Sequence, residues 1–598
     1  MKRPKKSFRA LLSLGFSAAL ALSLLGGTPA QAAPTTLPGA AGPARTVDWN
    51  PHASWTEHYI VTKDRTTLHA DVLRPKHLKP TDKTPVIAVV SPYVNHFTDQ
   101  GLLGALNGSG VPNPLAKAQP RDRFADVVNG AKLLEAGYTF MLVDLRGNGG
   151  STGCLDFGGP GEQQDVVTAV EWAASQPWSN GKVGLYGKSY DGATALQGVA
   201  NRPKGLKAAI AMEPMYDTYT YLFHNGVPYY NALFMGSWYN QIAATPGLLT
   251  DSPECLQNSL WTARNPACMV KNQLDQYDDN PDSPYWQKRR FVSRVNTSPI
   301  PLFVIQGFIE DNTRADGLVT LLRNRKAPTR AWLGMWEHIR GNDTTDDGRL
   351  MIGRTGWYKE VRDFFDHYLM DKPLKGYPNI IVQDNTGSWR GQEAWPNTDP
   401  DTTSVWTVRG PKGTVEDKGL AIGANTTTGG GSLPPALGLP LNSSNPGIWK
   451  IGTPLKRDMR ISGHVSVWAL ADYAPQDRSQ STSLVADLYD VAPNGDVILI
   501  QRGAIKVTPG KKMLKFNTFA TDWLLRKGHQ LAIRFVNTNT EVYFHVPQGD
   551  DIKVLDSRLY LPIDNAKYRK THGGNPTYWE DYMKETGHYP GPWPVVGI

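Results

Sequence analysis

The sequence predicts an α/β domain that carries an insertion and is followed by an all-β domain. From about residue 58 to residue 213, short apolar strands alternate with helical segments, which is typical of βαβ units around a mainly parallel sheet. Residues 214–298 are rich in Tyr, Trp, Asn and Pro and show no strand alternation, and apolar strands resume at Leu302. After about Lys372, short strands are separated by Gly, Pro and Asn without helices between them, which favours a β-sandwich.

The N-terminal segment has the pattern of a secretory signal. Basic residues between Lys2 and Arg9 precede an apolar run from Ala10 to Leu25, and Ala30-Gln31-Ala32 then supplies a small-x-small cleavage site. The apolar run is shorter than a stable membrane span, so a retained anchor is the weaker alternative. We therefore expect a signal peptide at 1–32, a disordered leader at 33–50, and a secreted, extracellular protein without membrane attachment after cleavage.

Charge and composition exclude some classes of partner. The formal net charge is +8, but the basic start of the signal carries much of it, and the rest of the chain has no basic run. We therefore expect no nucleic-acid partner. No motif implies an organic cofactor, and the sequence gives no indication of the oligomeric state.

The chain has three Cys residues, and an extracellular location permits disulfides. Cys255 and Cys268 are close in sequence and are the predicted pair, which leaves Cys154 unpaired. The Cys residues show no His spacing of the zinc type, so no metal site is expected.

The strongest local signal for chemistry lies around Ser189. The apolar strand at 183–186 leads directly into Gly187-Lys188-Ser189, and Ala193–Ala200 then has a helical pattern. A nucleophile elbow requires this order, because its Ser occupies a strained turn between a strand and a helix and needs small neighbours. The pattern predicts an α/β-hydrolase domain with Ser189 as nucleophile, whereas a Gly-x-Ser alone would also fit an ordinary loop.

A serine hydroxyl needs a base, and the base needs an orienting acid; in this fold they follow the Ser in the order acid, then His. The strand at 302–305 is followed by the adjacent acids Glu310 and Asp311, and the strand at 330–333 by His338. His338 is thus the predicted base, and either acid is a candidate for the third member.

Several motifs in this order resemble the X-prolyl dipeptidyl-peptidase and cocaine-esterase family of serine hydrolases. Gly187–Gly192 resembles the family's Gly-x-Ser-Tyr-x-Gly, Asp144–Gly153 its Asp-x-Arg-Gly-x-Gly-x-Ser-x-Gly, and Gly334–His338 its Gly-Pro-Trp-x-His. The resemblance covers nearly all of the mature chain. It implies an α/β-hydrolase catalytic domain at 51–213 and 299–372, a helical cap at 214–298, and a C-terminal jelly-roll sandwich at 373–598.

The resemblance also implies roles for further residues. The family's oxyanion hole would consist of the Tyr93 hydroxyl and the backbone N–H of Tyr190. Its Gly-x-x-Asp motif, counted from Gly307, places the triad acid at Glu310, and Asp311 remains the alternative through a one-residue bulge.

A dipeptidyl peptidase must bind a free α-amino group, so an acid is expected near the nucleophile. Glu213 is the predicted ammonium anchor, with Asp217 second, although a structural ion pair is an equal interpretation of Glu213. Tyr216 and nearby aromatics fit a proline pocket or a core.

These observations predict a secreted peptidase that releases N-terminal X-Pro dipeptides through an acyl-enzyme on Ser189, acting on peptides with a free N-terminus. A cocaine-esterase-like carboxylic-ester hydrolase or an acylase with the same triad is the alternative. A third possibility, from another class, is a polysaccharide-binding esterase that uses the C-terminal sandwich as its binding module.

Overall fold

The computed structural model describes residues 44–93, 96, 113–323, 325–417, 447–537, 542–544 and 549–586. The predicted signal peptide at 1–32 lies outside these ranges, as does most of the predicted leader. Every helix within these ranges is too short or too polar to cross a lipid bilayer.

The strands of the described chain are β1 (Arg45–Val47), β2 (Asn50–Val61), β3 (Thr67–Pro75), β4 (Thr84–Ser91), β5 (Thr139–Asp144), β6 (Ser179–Lys188), β7 (Leu206–Met212), β8 (Phe223–His224), β9 (Val227–Pro228), β10 (Leu302–Gly307), β11 (Thr329–Gly334), β12 (Ile380–Gln383), β13 (Trp389–Gln392), β14 (Thr403–Arg409), β15 (Gly413–Val415), β16 (Ile448–Ile451), β17 (Met459–Gly463), β18 (Ser466–Tyr473), β19 (Thr482–Val491), β20 (Val497–Val507), β21 (Gly510–Asn517), β22 (Thr521–Leu525), β23 (Gln530–Val536), β24 (Ile552–Asp564) and β25 (Arg569–Lys570).

The helices are α1 (Ala125–Gly130), α2 (Pro160–Ser175), α3 (Tyr190–Asn201), α4 (Thr218–Leu222), α5 (Asn231–Ala243), α6 (Pro253–Ser259), α7 (Trp261–Arg264), α8 (Ala267–Asp275), α9 (Pro284–Gln287), α10 (Val292–Asn296), α11 (Leu318–Leu322), α12 (Trp357–Met370) and α13 (Thr577–Thr586).

The catalytic part is built on a 12-stranded sheet with the order β1-β2-β3-β5-β4-β6-β7-β10-β11-β12-β13-β25. From β5 to β12 all neighbouring strands of this order are parallel. Strand β4 shows why such strands are almost wholly apolar: Ala88 packs into one hydrophobic core and Val89 into a second core on the opposite face. The carboxyl ends of β6, β10 and β11 therefore lie along one edge, where α/β sheets place their sites.

Residues 214–298 form the predicted insertion between β7 and β10. They contain the helices α4 to α10 and the short hairpin of β8 and β9. The predicted β-rich character after residue 373 is also present, as a seven-stranded sheet around β24 and a four-stranded sheet with the order β16-β23-β19-β20. The jelly-roll connection pattern stays a prediction.

Two boundaries differ from the expected ones. Residues 45–50 do not belong to a disordered leader, because β1 pairs antiparallel with β2 and adds an edge strand to the large sheet. Strands β12 and β13 also belong to that sheet, although they lie beyond residue 373, and β25 returns from the far C-terminus to pair with β13. Short edge strands like these have weak sequence signals, because the neighbouring strand defines them more than their own composition does.

The predicted disulfide between Cys255 and Cys268 is wrong. Cys154 bonds Cys268 across 114 residues of sequence, with their Cα atoms 5.3 Å apart, and Cys255 is a buried free thiol. Closeness in sequence was a poor guide because Cys255 is in α6, where its side chain faces the interior, while Cys268 is in α8. The bridge instead joins the loop after β5 to the insertion.

Candidate active site

Ser189 occupies the turn between β6 and α3. Its backbone has φ +64° and ψ −123°, a conformation that side-chain-bearing residues rarely adopt, and its N–H donates to the carbonyl of Met212 at 2.9 Å. Gly187 permits this turn, because a Cβ there would lie 2.2 Å from the carbonyl oxygen of Asp191. The local structure is therefore that of a nucleophile elbow, with the serine at the start of a helix.

His338 and Glu310 meet at the ends of adjacent strands. Nδ1 of His338 lies 3.3 Å from Oε1 of Glu310, and the His338 side chain is 12% exposed while that of Glu310 is fully buried. The alignment is not that of a well-formed hydrogen bond, which is common for catalytic contacts in the absence of substrate. The geometry brings together the predicted base and the acid that the family motif indicated.

The Glu310 carboxylate is held by the loop that follows it. It accepts N–H groups from Asn312 at 2.7 Å, Thr313 at 2.9 and 3.0 Å, and Arg314 at 2.7 Å. Burial alone would raise the pKa of Glu310, but the facing His338 and the hydrogen bonds from Thr313 outweigh it and lower the pKa to about 2. Glu310 is therefore an ionised carboxylate with a fixed orientation.

Asp311 belongs to a different contact. Carboxylate oxygens of Glu310, Asp311 and Glu337 all lie within 4.8 Å of one another, and the interaction partner of the Asp311 carboxyl is Glu337. Burial and the charge of Glu310 raise the pKa of Asp311 to about 6, and burial and the charge of Asp311 raise that of Glu337. No described contact places Asp311 against His338.

Lys188, directly before the nucleophile, connects the elbow to the loop of the base. Its Nζ donates to the carbonyl oxygen of His338 at 2.7 Å. Burial lowers the pKa of Lys188 to about 8. Burial and then the charge of Lys188 also lower the pKa of His338, against the raising effect of Glu310. A neutral imidazole at neutral pH follows, which is the form that a general base requires.

Tyr93 follows the end of β4 and is 6% exposed. Its hydroxyl lies 2.7 Å from that of Tyr239 in α5, and its ring centroid lies 6.4 Å from that of Tyr190. Burial raises the pKa of Tyr93, so the hydroxyl keeps its proton. Tyr190 is the first residue of α3, and such N–H groups have no partner within their own helix. The side chain of Tyr190 instead donates to Glu162 at 2.8 Å.

The structure does not support the predicted ammonium anchor at Glu213. Its buried carboxylate accepts hydrogen bonds from Nε2 of Gln306 at 2.8 Å, from the N–H of Gly307 at 3.1 Å, and from Nε1 of Trp336 at 2.8 Å. These donors come from the ends of β10 and β11, so Glu213 fixes the starts of the two loops that carry Glu310 and His338. Glu213 thus has a positioning role, because it holds the two loops in place without contacting the substrate.

Tyr216 and Asp217 are also bonded inside the protein. Tyr216 is 1% exposed and donates to Oε1 of Gln306 at 2.8 Å. Asp217 accepts the N–H groups of Phe291 at 2.6 Å and Val292 at 3.2 Å, and burial raises its pKa to about 7. Both residues therefore make core contacts between the strand ends and the insertion. For Tyr216 this is one of the two interpretations that the sequence left open, and for Asp217 it gives no support to a role as second anchor.

Two residues at the site escaped the sequence reasoning. Lys188 is an ordinary position in an elbow motif, and its link to His338 depends on two strand ends meeting in the fold. Tyr239 lies in the insertion helix α5 with Phe234 and Trp238, and the sequence does not indicate which of these aromatic side chains faces the site. The sequence holds no local signal for either role.

Fold and site together define a hydrolase of the α/β-hydrolase class with a serine elbow. Family models agree: residues 64–340 match "X-Pro dipeptidyl-peptidase (S15 family)" and residues 373–577 match "X-Pro dipeptidyl-peptidase C-terminal non-catalytic domain". The chain belongs to the X-prolyl dipeptidyl-peptidase and cocaine-esterase family of serine hydrolases.

Curated relatives of both kinds occur. A Streptomyces avermitilis protein assigned as a Xaa-Pro dipeptidyl-peptidase is 26% identical over 60% of this chain, and the aligned region spans 52% of that relative, about half its length. The cocaine esterase of a Rhodococcus species is 25% identical over 54% of this chain and 59% of its own length.

Solved structures share the fold over most of the chain. An aminopeptidase from a marine-sediment thaumarchaeon matches with a TM-score of 0.62 and 17% identity, covering 89% of this chain and 99% of that one. An α-amino acid ester hydrolase matches with a TM-score of 0.59 and 16% identity, covering 91% of this chain and 100% of that one.

Proposed function

We propose that the protein is a secreted serine peptidase that removes N-terminal X-Pro dipeptides. The observation that carries the proposal is the His338–Glu310 pair at the strand ends next to the Ser189 elbow. In this mechanism His338 takes the proton of Ser189 as the hydroxyl attacks the carbonyl and passes it to the leaving amine. Water then hydrolyses the acyl-enzyme by the same route, and Glu310 stabilises the imidazolium in both steps.

The oxyanion of each tetrahedral intermediate would receive two hydrogen bonds. The Tyr190 N–H is one donor, supported by the positive end of α3. The Tyr93 hydroxyl is the other: when Tyr239 donates to the Tyr93 oxygen, the Tyr93 proton is free to point at the oxyanion. This arrangement gives Tyr239 of the insertion a positioning role.

The free amino group of the substrate needs an acid other than Glu213. We place it at Asp311, which is partly exposed and has the buried Glu337 beside it. Oε2 of Glu337 lacks any hydrogen-bond partner within the described residues. An ammonium group would relieve the repulsion between these two carboxyls and allow both to ionise.

The ester-hydrolase alternative keeps the same triad and lacks the amine requirement. It draws support from the cocaine-esterase relative and from the internal bonding of Glu213. The polysaccharide-binding alternative has less support from the structure. Trp468 is 38% exposed on the C-terminal β domain, but the Lys515 ammonium lies 4.0 Å from the centroid of its ring and covers it.

Secretion is supported by the signal-like N-terminus and by the Cys154–Cys268 bridge, since disulfides persist in oxidising compartments.

The test compares hydrolysis of Ala-Pro-p-nitroanilide, its N-acetylated form and p-nitrophenyl acetate by the mature protein, with Ser189→Ala as control. We expect cleavage of the free-amine anilide, little cleavage of the acetylated one, and loss of activity in the variant. Hydrolysis of the ester alone would establish the esterase alternative, and full activity of Ser189→Ala would refute both.

The anchor is tested separately with Asp311→Asn. We expect kcat/KM to fall for Ala-Pro-p-nitroanilide while p-nitrophenyl acetate hydrolysis is nearly unchanged. An equal effect on both substrates would remove Asp311 from substrate binding.

A further inference from the structure

A second cluster of reactive side chains lies outside the serine site, beneath the insertion. We name it the His–carboxylate cluster, and its members are Glu57 of β2, His69 and Asp71 of β3, His96 after β4, Asp144 at the end of β5, Asp251 before α6, and Cys255 in α6. The His and carboxylate side chains are at most 3% exposed, and Cys255 is buried. The serine mechanism uses none of them.

The two imidazoles have the same arrangement. Nδ1 of His69 lies 2.9 Å from Oδ2 of Asp144, and Nδ1 of His96 lies 2.6 Å from Oδ1 of Asp251. The rings pack edge to face at 5.0 Å, and each turns its Nε2 towards Asp71, at 3.1 Å for His96 and 3.8 Å for His69. A carboxylate behind Nδ1 with Nε2 directed inwards is the usual arrangement of histidines that bind a metal.

The cluster has an unsatisfied atom at its centre. Nε2 of His69 lies 3.5 Å from Oε1 of Glu57 but makes no hydrogen bond within the described residues. Buried polar atoms are almost always paired, so this nitrogen is available to a ligand that enters the cluster.

The cluster is also rich in negative groups. Four carboxylates converge on the two imidazoles, and Arg45 contacts one of them, Glu57. Buried carboxylates are costly unless they are paired, so a divalent cation among them would stabilise the cluster.

We propose that the His–carboxylate cluster binds one divalent cation of the zinc class through His69, Asp71 and His96, whose ligand atoms lie within 4.8 Å of one another. A tetrahedral ion with bonds of about 2.0–2.2 Å to N and O holds its ligand atoms about 3.3 Å apart. The carboxylate oxygens of Asp71 lie 3.1 Å from Nε2 of His96 and 3.8 Å from Nε2 of His69, which is close to that separation. A pair of imidazole ligands favours zinc over magnesium or calcium.

The free thiol has space at this position because of a motif glycine. A Cβ on Gly150 would lie 2.7 Å from Cγ of His69 and 2.9 Å from Sγ of Cys255. Gly150 belongs to the Asp144–Gly153 motif, and its N–H donates to Asp144 at 2.9 Å. With ligands from β3 and the loop after β4, and with Asp251 of the insertion behind His96, the ion would have a structural role and join the insertion to the edge of the sheet.

The experiment measures zinc in mature protein that is stripped with a chelator, re-equilibrated with Zn²⁺ and dialysed. We expect about one zinc per chain and a melting temperature that rises with zinc. His69→Gln should lower the zinc affinity at least tenfold, by removing a ligand. Asp144→Asn should lower it about 10- to 100-fold, because it releases the ring of His69. The matched control is His224→Gln, since His224 is another buried histidine, bonded to Tyr543 at 2.8 Å, and should leave zinc content unchanged.

Cobalt substitution tests the geometry of the site directly. Co²⁺ in the wild-type protein should show the intense visible d–d bands of a tetrahedral site, and Asp144→Asn should weaken them. Circular dichroism identifies variants that fail to fold, in which case Asp144→Asn and the cobalt spectrum carry the test. Absence of zinc from the folded wild-type protein, or equal zinc affinity in His69→Gln and His224→Gln, overturns the proposal. Neither result depends on whether the enzyme cleaves peptides or esters.

Discussion

Replacing Glu310 by Gln removes the negative charge behind His338 while keeping the size of the side chain. The carboxylate accepts three backbone N–H groups, and one of its oxygens faces Nδ1 of His338. An amide offers one acceptor and turns an NH₂ group towards donors, so the imidazole loses both its orientation and its counter-charge. Such a replacement in a Ser-His-acid triad lowers kcat by about 10⁴-fold, or roughly 5 kcal/mol of transition-state stabilisation.

The same change has a stability consequence with a defined pH dependence. The pKa of Glu310 falls from 4.5 to about 2 on folding, so the ionised carboxylate stabilises the folded state at neutral pH. Because the folded-state pKa is the lower one, this contribution is present above pH 4.5 and is lost as the pH falls towards 2. The variant should therefore be less stable than wild type at pH 7, and the difference should shrink across that window.

The assay is p-nitrophenyl acetate hydrolysis together with urea unfolding at several pH values, and Asp311→Asn is the matched control. We expect Asp311→Asn to leave ester hydrolysis nearly unchanged, since its carboxyl is paired with Glu337. Near-normal turnover in Glu310→Gln beside a collapse in Asp311→Asn would refute the assignment of the acid.

Three further perturbations follow from the same contacts. Lys188→Met should raise the pKa of His338 and move the acidic limb of the pH profile of kcat/KM up by about half a pH unit or more. Lys188→Arg keeps the positive charge and should leave the acidic limb in place. An unmoved limb in Lys188→Met would contradict the electrostatic role of Lys188. Glu213→Gln should lower peptide and ester hydrolysis together with the melting temperature, and selective loss of dipeptide cleavage would restore Glu213 as an anchor. Cys154→Ser should cost about 2–5 kcal/mol in urea unfolding of the non-reduced protein, and Cys268→Ser the same; no change in either would argue against the bridge.

The sequence predicted those parts of the fold that have strong local patterns. The elbow at Ser189, the insertion at 214–298 and the apolar strand that follows it all lie at the expected positions. The predicted end of the catalytic domain at residue 372 was too early, because β12, β13 and β25 are short and are defined by the strands beside them. Local composition contains little information about such edge strands.

The site shows the same contrast between residues with a local sequence pattern and residues whose role depends on the fold. Ser189, His338 and the acid pair could be proposed from the sequence because each follows an apolar strand in the order the fold requires. The burial of Glu213 was not predictable, because its partners Gln306 and Trp336 are about 93 and 123 residues away in sequence. The expectation of no metal site rested on the spacing of residues along the chain. The members of the His–carboxylate cluster are spread over the sequence from Glu57 to Cys255 and come together only in the fold.

The return of β25 to the catalytic sheet limits how this protein can be divided. Gln501 of the C-terminal part also donates to the carbonyl of Phe308 at 2.7 Å, just before the acid loop, and one continuous core contains both Phe308 and Trp523. Deleting the residues after β13 would expose the edge of that strand and the rear of the acid loop together. Swapping it between homologues as a cassette, or expressing the catalytic part alone, would therefore yield an insoluble or inactive product. Engineering of this protein should therefore keep the catalytic and C-terminal parts together.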